Sequence, residues 1–239
     1  METNVLEKEK QLAAYKSITF VENGMVVGLG SGSTASYMVQ ELGKAVAKGL
    51  TIKGIASSEK TAQLARKVGI PLITLDKVEY LDINIDGADE FDNKLQLIKG
   101  GGGALLREKI IAHNSKLNII IADSEKQVNK LGKFKLPVET IPFATQNIIN
   151  KLSKMGLQPI QRQLEGSPFI TDEKNYIVDV DISQCEDLSG LDHTLIKIPG
   201  IVETGLFLSM TDIVLMGKGQ TTVILKNDDF HKLDVNLID

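Results

Sequence analysis

Met25-Val26-Val27-Gly28-Leu29-Gly30-Ser31-Gly32-Ser33-Thr34-Ala35 passes from an apolar strand through a glycine-rich turn into a helix. The helix is marked by Ala35, Met38, Val39, Leu42 and Val46, an i, i+3, i+4 stripe that gives it one buried face. A helix with similar spacing precedes it over residues 4–21, ended by Asn23-Gly24. Downstream the alternation continues. Strands are predicted over 50–56, 72–75, 81–85 and 117–122, with helices over 58–68 and 104–112. Repeated strand–helix units with almost continuously apolar strands predict an α/β fold: a Rossmann-like, mostly parallel sheet with helices on both faces.

Each of these strands runs into a polar segment. After the first come Gly28 to Thr34. After others come Ser57-Ser58-Glu59, Asp86-Gly87-Ala88-Asp89-Glu90 and Asp123-Ser124-Glu125-Lys126. These segments lie at the carboxyl ends of the strands, where open α/β sheets bind ligands. Beyond Pro137 and Pro142 the texture changes to a helix, an alternating strand from Tyr176 to Ile182, and a second helix ending at Pro199-Gly200. The expectation is a small α+β domain over 131–206 inserted in a main domain made of 1–130 and 207–239. A hairpin around Gly217-Lys218-Gly219 returns the chain to the main sheet, and the polar last dozen residues are expected to be disordered.

The second informative stretch is Lys99-Gly100-Gly101-Gly102-Gly103-Ala104-Leu105-Leu106-Arg107-Glu108. Four glycines in a row suit neither strand nor helix, since each costs backbone entropy and packs nothing. They suit a place where backbone N–H groups must touch a small polar ligand. With a lysine before the run, a glutamate after it and carboxylates upstream, these are the parts needed to move a proton beside an oxyanion.

Composition narrows the field. The 239 residues are 42% hydrophobic and 24% charged, with 27 basic and 31 acidic side chains and a net charge of −4. These proportions are ordinary for a globular enzyme. No basic stripe or zinc-finger spacing points to nucleic acid. No apolar run of about 18 residues points to a membrane. A lone cysteine, Cys185, excludes an internal disulfide, and its acidic neighbours disfavour a thiolate. The N-terminus has no apolar signal segment, so the expected compartment is the cytoplasm.

At the level of single residues each site has two readings. Residues 28–34 are either a phosphate cradle at a helix N-terminus or a tight turn with Ser/Thr caps. They lack the lysine of a Walker loop and the third glycine of a dinucleotide fingerprint. Asp86, Asp89 and Glu90 bind a cation, share a proton, meet lysines, or merely cap their own turn. No metal site is expected, because His113, His193 and His231 are scattered without ligand spacing. Arg107-Glu108-Lys109 is either a solvated helix face or a triplet whose glutamate reaches back over the glycines. Lys10 and Lys126 are either surface lysines or anion contacts. On these residues an enzyme that moves a proton beside an oxyanion competes with an amino-sugar phosphate deaminase or CoA transferase of similar architecture and with a non-catalytic sugar-phosphate sensor.

Taken in order and spacing, the motifs at 28–34, 86–90, 99–109, 122–128, 132–134, 136–139 and 199–207 resemble the ribose-5-phosphate isomerase family, type A. The resemblance implies a Rossmann-like catalytic domain with a small, ferredoxin-like lid, no cofactor, a homodimer or homotetramer, and a sugar phosphate as the only small-molecule partner. It implies interconversion of D-ribose 5-phosphate and D-ribulose 5-phosphate in the non-oxidative pentose phosphate pathway. By that resemblance Glu108 is the proton acceptor, with Asp86, Asp89 and Lys99 completing the catalytic set. Substrate binding falls to Lys10, Ser31, Gly32, Ser33, Thr34, Asp86, Gly87, Ala88, Asp89, Lys99, Gly100, Gly101, Gly102 and Lys126. One departure is Gly103, which stands where alanine is common in the family.

Overall fold

The computed structural model describes residues 2–227, and the side chains of 5–227. The expectation of disorder for the polar tail lies outside the described residues. The first half of the chain forms α1 (Glu2–Ile18), β1 (Val26–Leu29), α2 (Ser33–Ala47), β2 (Lys53–Ala56), α3 (Glu59–Lys67), β3 (Ile83–Gly87), β4 (Glu90–Phe91), β5 (Leu97–Ile98), α4 (Leu105–His113) and β6 (Asn118–Ala122). The second half forms β7 (Leu136–Thr140), α5 (Thr145–Lys154), β8 (Ile160–Gln161), β9 (Gln163–Leu164), β10 (Ser167–Pro168), β11 (Tyr176–Val180), α6 (Leu188–Ile196), β12 (Ile201–Thr204), β13 (Leu206–Phe207), β14 (Ile213–Lys218) and β15 (Thr221–Lys226).

The main sheet has six strands in the order β15-β14-β6-β3-β1-β2. All neighbours are parallel except the β14–β15 hairpin. Its strands alternate between two cores, as a period of two requires. Ile119 and Ile121 of β6 pack with Ala13, Met38, Val39 and Leu42 of α1 and α2, whereas Ile120 and Ala122 pack with Phe91, Leu97 and Phe207. Burying each large apolar side chain contributes roughly 1.5–3 kcal/mol, and on the α2 stripe Ala35, Met38, Val39 and Leu42 are fully enclosed while Val46 is partly buried.

β7, α5, β8, β11, α6 and β12 form a second layer with its own core around Val138, Ile148, Leu152, Val178 and Leu195. Its antiparallel sheet runs β12-β7-β11-β8, the split βαβ order of a ferredoxin-like unit.

Two local expectations are corrected. Residues 72–75 are not a strand of the sheet. They make one bridge, Gly54 to Leu72, before a tight 3₁₀ turn at Leu75–Lys77. Pro71 has no N–H to give a ladder at this outer edge, so pairing stops after two bonds. The first helix also ends at Ile18 instead of near residue 21, in turns where the N–H groups of Thr19, Phe20 and Val21 reach back three residues. The three-stranded sheet β13-β5-β4 was not foreseen, being made of two-residue strands too short to show a period. It sets the level of Lys99, whose N–H bonds the Gly205 carbonyl.

Candidate active site

β1 pairs with β2 on one side and β3 on the other, so the chain reverses its winding direction at β1. The crevice at such a switch point, beyond the carboxyl ends of the strands, is where this class of sheet holds ligands. A cleft opens there. It is lined by Ser31, Gly32, Ser33 and Thr34 after β1, by Gly87 at the end of β3 with Ala88 and Asp89 beyond it, and by Lys126 after β6. Lys99, Gly100, Gly101 and Gly102 form the facing wall together with Glu108. Segments far apart in the chain, from Ser31 to Lys126, thus meet around one space, as their strand-end positions led us to expect.

Beneath the cleft lies a buried cluster of charge. The Lys99 ammonium is 3.1 Å from Asp86 Oδ2 and 3.4 Å from Glu108 Oε2, and it donates to the Gly87 carbonyl. Asp86 is held from the other side, its Oδ1 accepting from the N–H groups of Ser31 at 2.9 Å and Gly87 at 2.7 Å. The first turn after β1 can approach this closely only because position 30 has no side chain: a Cβ on Gly30 would lie 2.1 Å from Asp86 Oδ1. Asp89 Oδ2 accepts from the Gly101 N–H at 2.7 Å, tying the loop after β3 to the glycine run.

Three carboxylates against one ammonium cannot all stay ionised in a site this dry. Burial opposes the Lys99 charge, but Asp86, Glu108 and Asp89 outweigh it and push the ammonium up to about 12. For Glu108 burial is the largest influence. With the repulsion of Asp86 and Asp89 it overcomes the attraction of Lys99, and the carboxyl is pushed up to about 8. The ion-pair distance and this reluctance to ionise are compatible, because Lys99 is shared and Asp86 has the better-directed share. Glu108 Oε2 makes no hydrogen bond among the described residues. It is a buried oxygen, held only by the ion pair with Lys99, on a residue that lines the cleft.

The opposite end of the cleft suits an anion. α2 starts at Ser33 with Gly32 at its cap position and no side chain bonded to its first N–H groups. The hydroxyls of Ser33 and Thr34 and the Lys126 ammonium have no bonded partner among the described residues. Open N–H groups, two hydroxyls, a helix dipole and a cation converge there.

One expected substrate contact, and one carboxylate whose role was left open, lie elsewhere. Lys10 does not line the cleft; its ammonium pairs with Glu7 Oε1 at 2.8 Å. Glu90 turns away and accepts from the N–H groups of Gly132 and Phe134. Other contributors were missed. Ser31 Oγ sits in a hydroxyl cluster with Ser57 and Ser58, both at 2.8 Å, and with Thr61 at 3.1 Å, which fixes the turn after β1. Ser57 and Ser58 stood out as strand-end residues, but nothing in the sequence joined them to Ser31. Glu9 accepts from Ser124 N–H at 3.0 Å and Ser124 Oγ at 2.7 Å, and its other oxygen accepts from Gly219 N–H at 2.7 Å. Burial alone would raise its carboxyl, yet these donors hold it below the usual carboxylate range. Glu9 thereby seats the turn that carries Lys126. Among the described residues no three His, Cys, Asp or Glu side chains converge to hold a metal ion.

Comparison with known proteins points the same way as this geometry. The family model described as ribose 5-phosphate isomerase A (phosphoriboisomerase A) matches residues 53–221. A curated ribose-5-phosphate isomerase A from Ruegeria sp. (strain TM1040) is 44% identical, the alignment covering 98% of this chain and 92% of that protein. The solved ribose 5-phosphate isomerase A of Methanocaldococcus jannaschii superposes with a TM-score of 0.87 at 41% identity, over 91% of this chain and 97% of that one. A D-ribose-5-phosphate isomerase solved in complex with phospho-erythronic acid superposes with a TM-score of 0.90 at 37% identity, over 92% and 99% of the two chains. The chain belongs to the ribose 5-phosphate isomerase A family and is an aldose–ketose isomerase.

Proposed function

We propose that this enzyme interconverts D-ribose 5-phosphate and D-ribulose 5-phosphate through an enediolate. The phosphate rests on the first N–H groups of α2 and the Ser33 and Thr34 hydroxyls, with Lys126 beside it. Binding energy at that end, remote from the chemistry, is available to orient C1 and C2 at the other. Asp86 and Asp89 exchange hydroxyl protons and assist ring opening. Glu108 removes the C2 proton and returns it to C1. Lys99 and the glycine N–H groups stabilise the oxyanion formed between the two transfers. The observation that carries this reading is Glu108 Oε2: buried, without a hydrogen bond among the described residues, beside a shared ammonium, and on a residue that lines one cleft with the glycine run.

Conversion of ribose 5-phosphate followed against pH tests it. A base must be deprotonated to act, so kcat/KM should rise with pH on a slope of about one and level off above the value of about 8 held by Glu108 in the free enzyme. A rate flat through the neutral range would assign the base to another group. Lys126→Met should raise KM about tenfold with kcat little changed, as removal of one charged phosphate contact does. Steady-state kinetics with and without competing inorganic phosphate checks it.

The proposal extends to the finer expectations: a cytoplasmic enzyme, a homodimer or homotetramer, and a chain divided into a main domain (1–130 with 207–239) and a small one (131–206). Family membership supports the first two, and the separate core of the ferredoxin-like layer supports the third.

A further inference from the structure

Outside the cleft, one guanidinium governs how the glycine run presents itself. Arg162 lies between β8 and β9, and its Nε and Nη2 form a fork on the Asp179 carboxylate of β11. Nη1 is thereby aimed at two carbonyl oxygens, that of Gly100 at 2.8 Å and that of Gly101 at 3.0 Å. In a planar trans peptide the carbonyl and the following N–H point in opposite directions. Drawing both carbonyls toward Arg162 therefore turns the N–H groups of Gly101 and Gly102 the other way. The first of these reaches Asp89, a wall of the cleft, and the second has no acceptor among the described residues. Successive glycines have the widest choice of backbone states and no side chain to select one, so an external anchor must do it. Phe169, whose N–H bonds the Arg162 carbonyl, covers the far end of the run: a Cβ on Gly103 would lie 2.3 Å from its ring.

We infer that Arg162 is a positioning residue for the isomerisation, holding the Gly100 and Gly101 carbonyls so that the Gly101 N–H secures Asp89 and the Gly102 N–H faces the developing oxyanion. This rests on the oxyanion role of the glycine run proposed above. It makes the ferredoxin-like layer a working part of the active site, though none of its side chains is among those lining the cleft.

The test compares wild type, Asp179→Asn, Arg162→Met/Asp179→Asn and Arg162→Lys. Each is assayed for kcat, KM and inhibition by inorganic phosphate and by phospho-erythronic acid, the ligand of the structural relative. Asp179→Asn keeps one acceptor of the fork and the guanidinium itself, so its kcat should fall less than that of the double variant. The double variant strands no carboxylate. Its kcat should fall about 30- to 100-fold, as misplacing donors by about 1 Å does. Its KM and phosphate inhibition should hold, while phospho-erythronic acid, which carries a carboxylate besides its phosphate and so tests the oxyanion end of the cleft, should bind at least about tenfold more weakly. If the double variant does not stay folded, Arg162→Lys must give the same split, since an ammonium cannot serve the carboxylate and both carbonyls. Unchanged kcat in the folded double variant or in Arg162→Lys, or equal weakening of both anions, overturns the role of Arg162 alone. A wild type that binds phospho-erythronic acid no better than phosphate overturns the oxyanion role of the glycine run, and this inference with it.

Discussion

Glu108→Gln is expected to lower kcat by about three to four powers of ten while leaving sugar-phosphate binding within a few-fold, because a positioned base contributes on that scale. Glutamine keeps the shape and the burial but has no lone pair basic enough to take a carbon-bound proton. The same change is expected to stabilise the fold. The Glu108 carboxyl is raised from 4.5 in the unfolded chain to about 8 in the folded one, so the folded state binds the extra proton between those values. The sign follows: its contribution to stability is intact below about pH 4.5 and is lost as pH rises toward 8. Glutamine suffers no such loss. At neutral pH the variant should therefore unfold later than wild type by on the order of 3 kcal/mol, each tenfold change in proton affinity being worth about 1.4 kcal/mol. Near pH 4 the gap should close. Urea unfolding at the two pH values, beside single-turnover kinetics, checks both halves. A variant both inactive and less stable at neutral pH would mean that Glu108 is ionised in the folded enzyme.

Lys99→Met carries the other large effect. Its ammonium is the one cation shared by Asp86 and Glu108, and both are buried with it. Removing one member of a buried ionic cluster leaves uncompensated charge and typically costs about 3–5 kcal/mol. Since the Lys99 ammonium titrates only near 12, that loss should be full throughout the neutral range. It should shrink at acid pH, where the stranded carboxylates take up protons. Catalysis should fall at least about 100-fold for want of an oxyanion partner. Unfolding titrations at neutral and acid pH, with kcat measured where the variant is folded, decide it. A variant active within tenfold of wild type would remove Lys99 from the chemistry.

The site was legible in the sequence to the extent that its residues end strands. Ser31 to Thr34, Gly87 to Asp89 and Lys126 each follow a strand, and a parallel sheet brings such ends to one edge whatever their separation. Glu108 was legible for a different reason: it lies one helical turn beyond the glycines. Lys10 and Glu90 mark where legibility stops. Each sits one residue from a group that matters, Glu9 in one case and Asp89 in the other, and direction around a helix or turn decides which of the two points inward. Hydroxyl clusters such as Ser31 with Ser57, Ser58 and Thr61 are invisible for a similar reason, because serine and threonine are common at every turn. Family membership removed the competing deaminase and sensor readings.

What the sequence by itself determined is the alternation of apolar strands and amphipathic helices, hence the parallel sheet and its ligand-binding edge, and, through motifs matched in order and spacing, the resemblance to the family. The sheet and its edge follow from periodicities carried by near neighbours in the chain. Only the tertiary structure decided that three carboxylates share one ammonium, that Glu108 keeps an unbonded oxygen, and that Arg162 grips the backs of two glycine peptides. Such facts depend on distances and burial between distant segments, and charge in a dry interior is governed by those two quantities above all.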